Sequence, residues 1–177
     1  MTATLTVSRP EGDEYLEYFG KYIALVKGDD AVEPLRDQLE DTLRIVRPLD
    51  EKRALHRYAP EKWSVKEVLG HLSDAERIFA YRALRIARKD QTPIEGFDEN
   101  TYVPAGRFDA RPLEDLIEDM ERVRDATLSL FTGLDEEALT RTGTANGNRI
   151  SVRAIAWCIA GHELHHRAIL IERYGLK

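Results

Sequence analysis

The chain has 177 residues, 33% of them charged and 42% hydrophobic, which suits one folded domain able to bury a core without staples and excludes a disordered tract. No run of about 18 apolar residues is present, so no membrane helix is expected. The first residues lack a basic stretch followed by an apolar one, so no secretory signal is expected, and the single Cys158 forms no intramolecular disulfide; both point to the cytoplasm. The formal net charge of −6 comes from 26 basic and 32 acidic residues. The arginines are interspersed with acids, so the basic stripe that nucleic-acid phosphates require is missing and no nucleic-acid partner is expected.

Residues 1–13 read as a loosely ordered N-terminal segment of a single domain spanning 1–177. A short helix is predicted over residues 14–27, where Tyr15, Tyr18, Phe19, Tyr22, Ile23 and Val26 recur at helical spacing and Gly28 ends the run. Asp30 and Glu33 then resemble an N-cap with its reciprocal acid. The first long helix follows, with Leu35, Leu39, Leu43 and Val46 on one face and Pro48 as its stop. The second has the clearest start in the chain. Ser64 and Glu67 form a capping box, Trp63 and Val68 can form a hydrophobic staple, and the helix runs to about Lys89. Residues 90–111 hold Pro93, Gly96, Pro104 and Gly106, show no lasting period and read as a long loop, a feature that is often functional. The third long helix starts at Pro112 and ends at Gly133, with one more turn near 135–139. Residues 142–149 are turn-rich, Asn146-Gly147 being a candidate tight turn. Ser151 caps the last helix, with Ile150 and Ile155 as its staple, and Gly175 ends it after Tyr174. Four long amphipathic helices without convincing strands predict an all-α four-helix bundle with a short extra N-terminal helix.

Of the five histidines, three lie within residues 162–166. His162 and His166 are four apart, so they project from one face about 40° from each other, and that face is the apolar one, flanked by Ile155, Ile159, Ile169 and Leu170. Two imidazoles one turn apart in a core need hydrogen-bond partners or a metal, because an unpaired polar group there costs about 1–3 kcal/mol. His71 lies on the flank of the second helix's stripe of Val65, Val68, Leu69, Leu72 and Phe79. An isolated histidine is usually structural, but three nitrogens on facing helices match a three-histidine metal site with an open position. His71, His162 and His166 are therefore the candidate ligands. His165 falls about 60° beyond the pair and reads as rim or surface; His56 reads as a solvated loop residue. The stretch 162–166 also fits the H-E-x-x-H pattern of zinc proteases, but Ile169 and Glu172 stand where the extended motif needs glycine and histidine.

The run 63–72 (Trp-Ser-Val-Lys-Glu-Val-Leu-Gly-His-Leu), with Asp74-Ala75-Glu76 after it, and the run 161–166 (Gly-His-Glu-Leu-His-His) resemble the second-helix and last-helix motifs of the DinB-like superfamily, as does the aromatic opening from Tyr18 to Val26. The resemblance covers about residues 14–177. It implies a four-helix bundle holding a divalent metal through three histidines, which match the same His71, His162 and His166. It also implies kinship with S-transferases and isomerases that use a low-molecular-weight thiol such as bacillithiol or mycothiol, with metal-dependent hydrolases, and with frequent homodimers. The expected cofactor is a divalent ion, zinc or nickel foremost among those imidazoles suit, with a low-molecular-weight thiol as possible cosubstrate and a small molecule as substrate. Glu76 and Glu163 are the candidate proton-moving or imidazole-orienting residues. Asp98 and Glu99 lie in the long loop, Cys158 reads as inert core, and Trp63 as packing. The other reading is a non-catalytic metal-containing binding or stress-response domain. An accessible pocket at the metal separates the two.

Overall fold

The computed structural model describes residues 6–177. Along the chain run α1 (Glu17–Ile23), α2 (Val32–Val46), α3 (Glu51–Ala54), α4 (Val65–Ala87), α5 (Glu99–Gly106), a 3-10 turn (Phe108–Ala110), α6 (Leu113–Thr132), α7 (Glu136–Thr140), the strands β1 (Thr142–Ala145) and β2 (Asn148–Ser151), and α8 (Val152–Glu172). The predicted bundle is present. Helix α4 packs on α6 and α8, and α2 packs on α6 and α8. The four long helices thus close a ring in which α2 and α4, though successive long helices, are diagonal, as are α6 and α8. Helix α1 lies against α8 on the outside.

The start signals act as the sequence suggests at α4 and α8. Ser64 Oγ accepts from the Glu67 amide at 3.0 Å, and Glu67 Oε2 accepts from the Ser64 amide at 2.8 Å. Ser151 Oγ accepts from the Ala154 amide at 3.0 Å. At α2 the expected reciprocal cap does not form. Asp30 Oδ1 accepts instead from the amides of Val7 at 2.8 Å and Val32 at 3.1 Å, so this carboxylate ties an upstream segment to the helix start. That contact orders part of the segment expected to be loose. Val7 is fully buried, and the Trp157 indole donates at 3.0 Å to the carbonyls of both Val7 and Ser8. Residues 1–5 of that segment lie outside the described residues.

Two further expectations are corrected. Residues 90–111 are not one loop: Asp98 Oδ1 accepts from the Asn100 amide at 2.9 Å and caps α5, and the 3-10 turn follows. Proline and two glycines hide these short helices from any periodicity. Nor is 142–149 a bare turn. Asn146 and Gly147, with φ of 50° and 72°, make the tight turn of a two-residue hairpin, as positive φ at both central residues allows, and the flanks pair in antiparallel register from Thr142–Ser151 to Ala145–Asn148. Strands of four residues are too short to show an alternation.

The core is split along the bundle axis. One apolar cluster gathers Leu35, Phe79, Phe131, Ile155 and Trp157. The other gathers Leu43, Leu69, Leu116 and Leu170. Between them, each long helix contributes buried polar residues: Gln38 and Thr42 from α2, His71 and Glu76 from α4, Arg124 from α6, Glu163 from α8. Close approach of α1 to this level depends on Gly161, because a Cβ there would lie 2.0 Å from the Tyr22 carbonyl oxygen. A main-chain oxygen cannot move aside as a flexible side chain can. Gly161→Ala is therefore expected to destabilise the protein by about 1–3 kcal/mol in urea denaturation, as overpacking does. An unchanged midpoint would show that α1 is free to shift.

Candidate metal centre

Helix α4 supplies His71 and adjacent turns of α8 supply His162 and His166. The packing of α4 on α8 brings their Nε2 atoms together. His162 Nε2 lies 3.2 Å from His71 Nε2 and 3.1 Å from His166 Nε2, and one nitrogen from each of the three falls within 4.8 Å of the others. Three nitrogens bound to one tetrahedral ion at about 2.0–2.1 Å would sit roughly 3.4 Å apart, so the spacing nearly matches a shared metal. The charge state matches too. Burial lowers the pKa of His71 to about 4 and, helped by the neighbouring His71 and His165, that of His166 to about 3; burial and the adjacent imidazoles hold His162 well below its ordinary value. Neutral imidazole is the form that ligates.

The three rings form one wall of a cavity of about 340 Å³. Helix α1 contributes Tyr18, Phe19, Lys21 and Tyr22, the approach to α4 contributes Trp63, and α4 itself adds Ala75, Phe79 and Arg82. Phe97 and Glu99 reach it from the 90–111 region and Asn146 from the hairpin turn. The elements outside the four-helix ring thus build the mouth. Trp63, read from sequence as a staple, does more than pack: its ring centroid lies 4.8 Å from that of His71. His165 stands at the rim, 5.3 Å from the Tyr22 ring, and its pKa is lowered by partial burial and then by Lys21. Tyr18 and Tyr22 share a 3.3 Å hydroxyl contact. Lys21 and Arg82 carry no motif that would have singled them out, and Tyr22 and Asn146, read from sequence as helix periodicity and turn, give no sign there of lining a site; only the three-dimensional meeting of α1, α4 and the hairpin reveals them.

Glu76 and Glu163 do not hydrogen-bond the imidazoles. Arg124 Nε and Nη2 donate to the two oxygens of Glu76 at 2.8 and 2.9 Å, Nη2 donates to Glu163 Oε2 at 2.8 Å, and Nη1 donates to the Leu35 carbonyl at 2.7 Å. Glu163 also accepts from Gln38 Nε2 at 2.7 Å and Thr42 Oγ1 at 2.6 Å. Burial disfavours the Arg124 charge, but Glu163 and Glu76 more than offset this and raise its pKa. Both Glu163 oxygens are thus committed to Gln38, Thr42 and Arg124, and the residue does not line the cavity, so it is not placed as the base of an H-E-x-x-H protease. Of the remaining candidates, Asp98 caps α5 and Glu99 reaches the cavity wall. His56 packs near Tyr174, away from the cluster. Cys158 is fully buried, with a thiol pKa pushed up by burial.

The sequence pattern of the DinB superfamily matches residues 35–170. No curated protein matches the chain significantly. Among solved structures, the chain is similar to YfiT from Bacillus subtilis, a probable metal-dependent hydrolase with an unusual four-helix bundle topology. The TM-score is 0.70 at 16% identity, covering 95% of this chain and 94% of that one. It is also similar to the mycothiol-dependent maleylpyruvate isomerase, with a TM-score of 0.66 at 13% identity over 78% of this chain; the chain spans only 58% of the isomerase. At these identities the likeness is one of fold.

Two outcomes follow from the buried charges. Arg124→Met leaves two buried carboxylates facing each other and is expected to cost about 3–5 kcal/mol in urea denaturation; a loss under 1 kcal/mol would show that the carboxylates escape to water. The imidazoles titrate below their ordinary 6.5 in the folded chain, so the unfolded chain binds more protons as pH falls below 6.5. With chelator present, the melting temperature should therefore be highest above pH 6.5 and drop between 6.5 and 5. A flat profile over that interval would contradict neutral, buried imidazoles.

Proposed function

The chain belongs to the DinB superfamily, and from that premise we propose that it is a divalent-metal-dependent enzyme acting on a small molecule, of the low-molecular-weight-thiol S-transferase or hydrolase kind. One observation carries the reading: three neutral imidazole Nε2 atoms converge at near-ligand spacing on the wall of an open cavity. A structural metal is normally closed off by a fourth protein ligand. Among the described residues the three-histidine group includes no fourth histidine, cysteine or carboxylate, and the cavity lies beside it. This favours the enzyme over a non-catalytic metal domain.

His71, His162 and His166 would hold the ion, zinc or nickel being well suited to imidazole. When bound, such an ion supplies Lewis acidity that brings a water or thiol toward its anionic, nucleophilic form near neutral pH. The chain's own residues do the rest. Trp63 and Phe79 line the cavity beside the imidazoles, their rings 4.8 Å from that of His71 and 6.3 Å from that of His162. Arg124 fixes the rotation of α4 and α8 through Glu76 and Glu163, and with it the aim of the three rings. The thiol-using relative and the hydrolase relative share this fold, and the reading includes both chemistries.

The test is elemental analysis of protein purified without a histidine tag, followed by activity screens. Near-stoichiometric zinc or nickel is expected in the parent. Most of it should be lost in His162→Ala and His166→Ala and nearly all retained in His165→Ala and His56→Ala. Full stoichiometry in both His71→Ala and His162→Ala would contradict the ligand set. Metal-dependent consumption of a low-molecular-weight thiol would place the enzyme with the transferases, and thiol-independent turnover with the hydrolases. A loaded protein that does neither would favour the non-catalytic role.

A further inference from the structure

Two arginines of α4 and α6 are buried, and they are treated differently. Arg124 meets two carboxylates. Arg82 is 5% exposed, and no carboxylate among the described residues pairs with it. Its one hydrogen bond there is from Nη2 to the Glu95 carbonyl at 3.1 Å, and its Nε is buried without an acceptor. Its guanidinium carbon lies 5.7 and 5.8 Å from the ring centres of Phe79 and Phe97, contacts that stabilise a cation only modestly. Burial, with nothing to offset it, pulls the Arg82 pKa down. A buried guanidinium left unpaired costs several kcal/mol unless something supplies the missing acceptor.

The cavity is where that acceptor would come from. His71, Ala75, Phe79 and Arg82 all line it, and their spacing of four, four and three residues puts them on one face of α4. Arg82 is three turns beyond His71, so about 16 Å of helix separates their Cα atoms, a gap that shortens because helical side chains lean toward the N-terminus. The wall between is aromatic. Glu99, the acid of the lining, makes no ion pair with Arg82, and the other cation, Lys21, lies exposed over the rings of Tyr18 and Tyr22 at 3.8 and 4.8 Å.

We propose that Arg82 is the anion-binding group of this cavity, and that the molecule bound there carries a carboxylate on an apolar body. A carboxylate offers a guanidinium two oxygens in the geometry its planar fork prefers, and a charge-assisted pair of this kind would engage Nη1, which has no hydrogen-bond partner among the described residues, alongside Nη2. Phe79 and Phe97 cover the apolar part, and the far end of the molecule reaches the histidines. The inference rests on the preceding proposal only in treating that ligand as a substrate.

Hexanoate and its neutral match hexanamide are the probes. The full-length protein, labelled with nitrogen-15 in arginine, is titrated with each, as purified and again with chelator present. The Arg82 Nε–H resonance is expected to shift saturably with hexanoate in both samples and to move less than a tenth as far with hexanamide. Arg82→Gln should weaken hexanoate binding at least tenfold, and Lys21→Gln less than threefold. The wild-type titration stands even if Arg82→Gln fails to fold. No saturable shift with hexanoate, an equal response to hexanamide, or binding lost in Lys21→Gln but kept in Arg82→Gln would overturn the proposal. The chelated sample keeps the two proposals apart. A hexanoate response in a protein that binds no metal upholds Arg82 and removes the metal, and metal binding without that response does the reverse.

Discussion

Arg124 joins all four long helices at one point. It projects from α6, grips Glu76 of α4 and Glu163 of α8, and donates to the Leu35 carbonyl of α2. Gln38 and Thr42 of α2 complete the shell around Glu163. This network occupies the level between two apolar clusters, where the bundle gives up hydrophobic contact. Buried ion pairs add little net stability over an apolar replacement, but breaking one is costly, so their effect is to penalise every arrangement in which the partners miss. A helix turned by one residue would carry Glu76 or Glu163 away from Arg124 and into hydrocarbon.

The imidazoles inherit that fixed geometry. Glu163 and His162 are adjacent on α8, so anchoring the one inward toward Arg124 sets the direction of the other. His71 and Glu76 are linked in the same way on α4. Two carboxylates on one guanidinium leave a formal negative charge one layer behind three neutral nitrogens, which favours a cation among them. The diagonal placement of α2 and α4 belongs to the same logic. It sets α4 beside α8, the two helices that carry the histidines, and leaves α1 and the hairpin free to wall the space outside them.

The bundle and its histidines were legible because both rest on helical periodicity. The capping box at Ser64, the cap at Ser151 and the four-residue step from His162 to His166 are local features, and local features survive folding unchanged. What was hidden depends on contacts distant in sequence. Asp30 has the chemistry of an N-cap, and the sequence gives no sign that Val7 would share it. Glu76 and Glu163 look like proton carriers beside histidines until Arg124, from a third helix, is seen to hold both. Trp63 fits a staple on paper yet faces His71. Arg82 resembles any surface arginine of a charged helix; its burial is decided by Phe97 and the 90–111 region folding over it.

The central claim is that three imidazoles, and no further protein group, hold a metal that faces the cavity. X-ray absorption at the edge of the metal retained by the full-length protein tests it most directly. The account predicts about three imidazole nitrogens at about 2.0–2.1 Å with the rest of the shell made of exchangeable light atoms, and replacement of one such atom by sulfur when a small thiol is added. A shell closed by a fourth protein ligand and indifferent to added thiol, or one with fewer than two imidazoles, would contradict it.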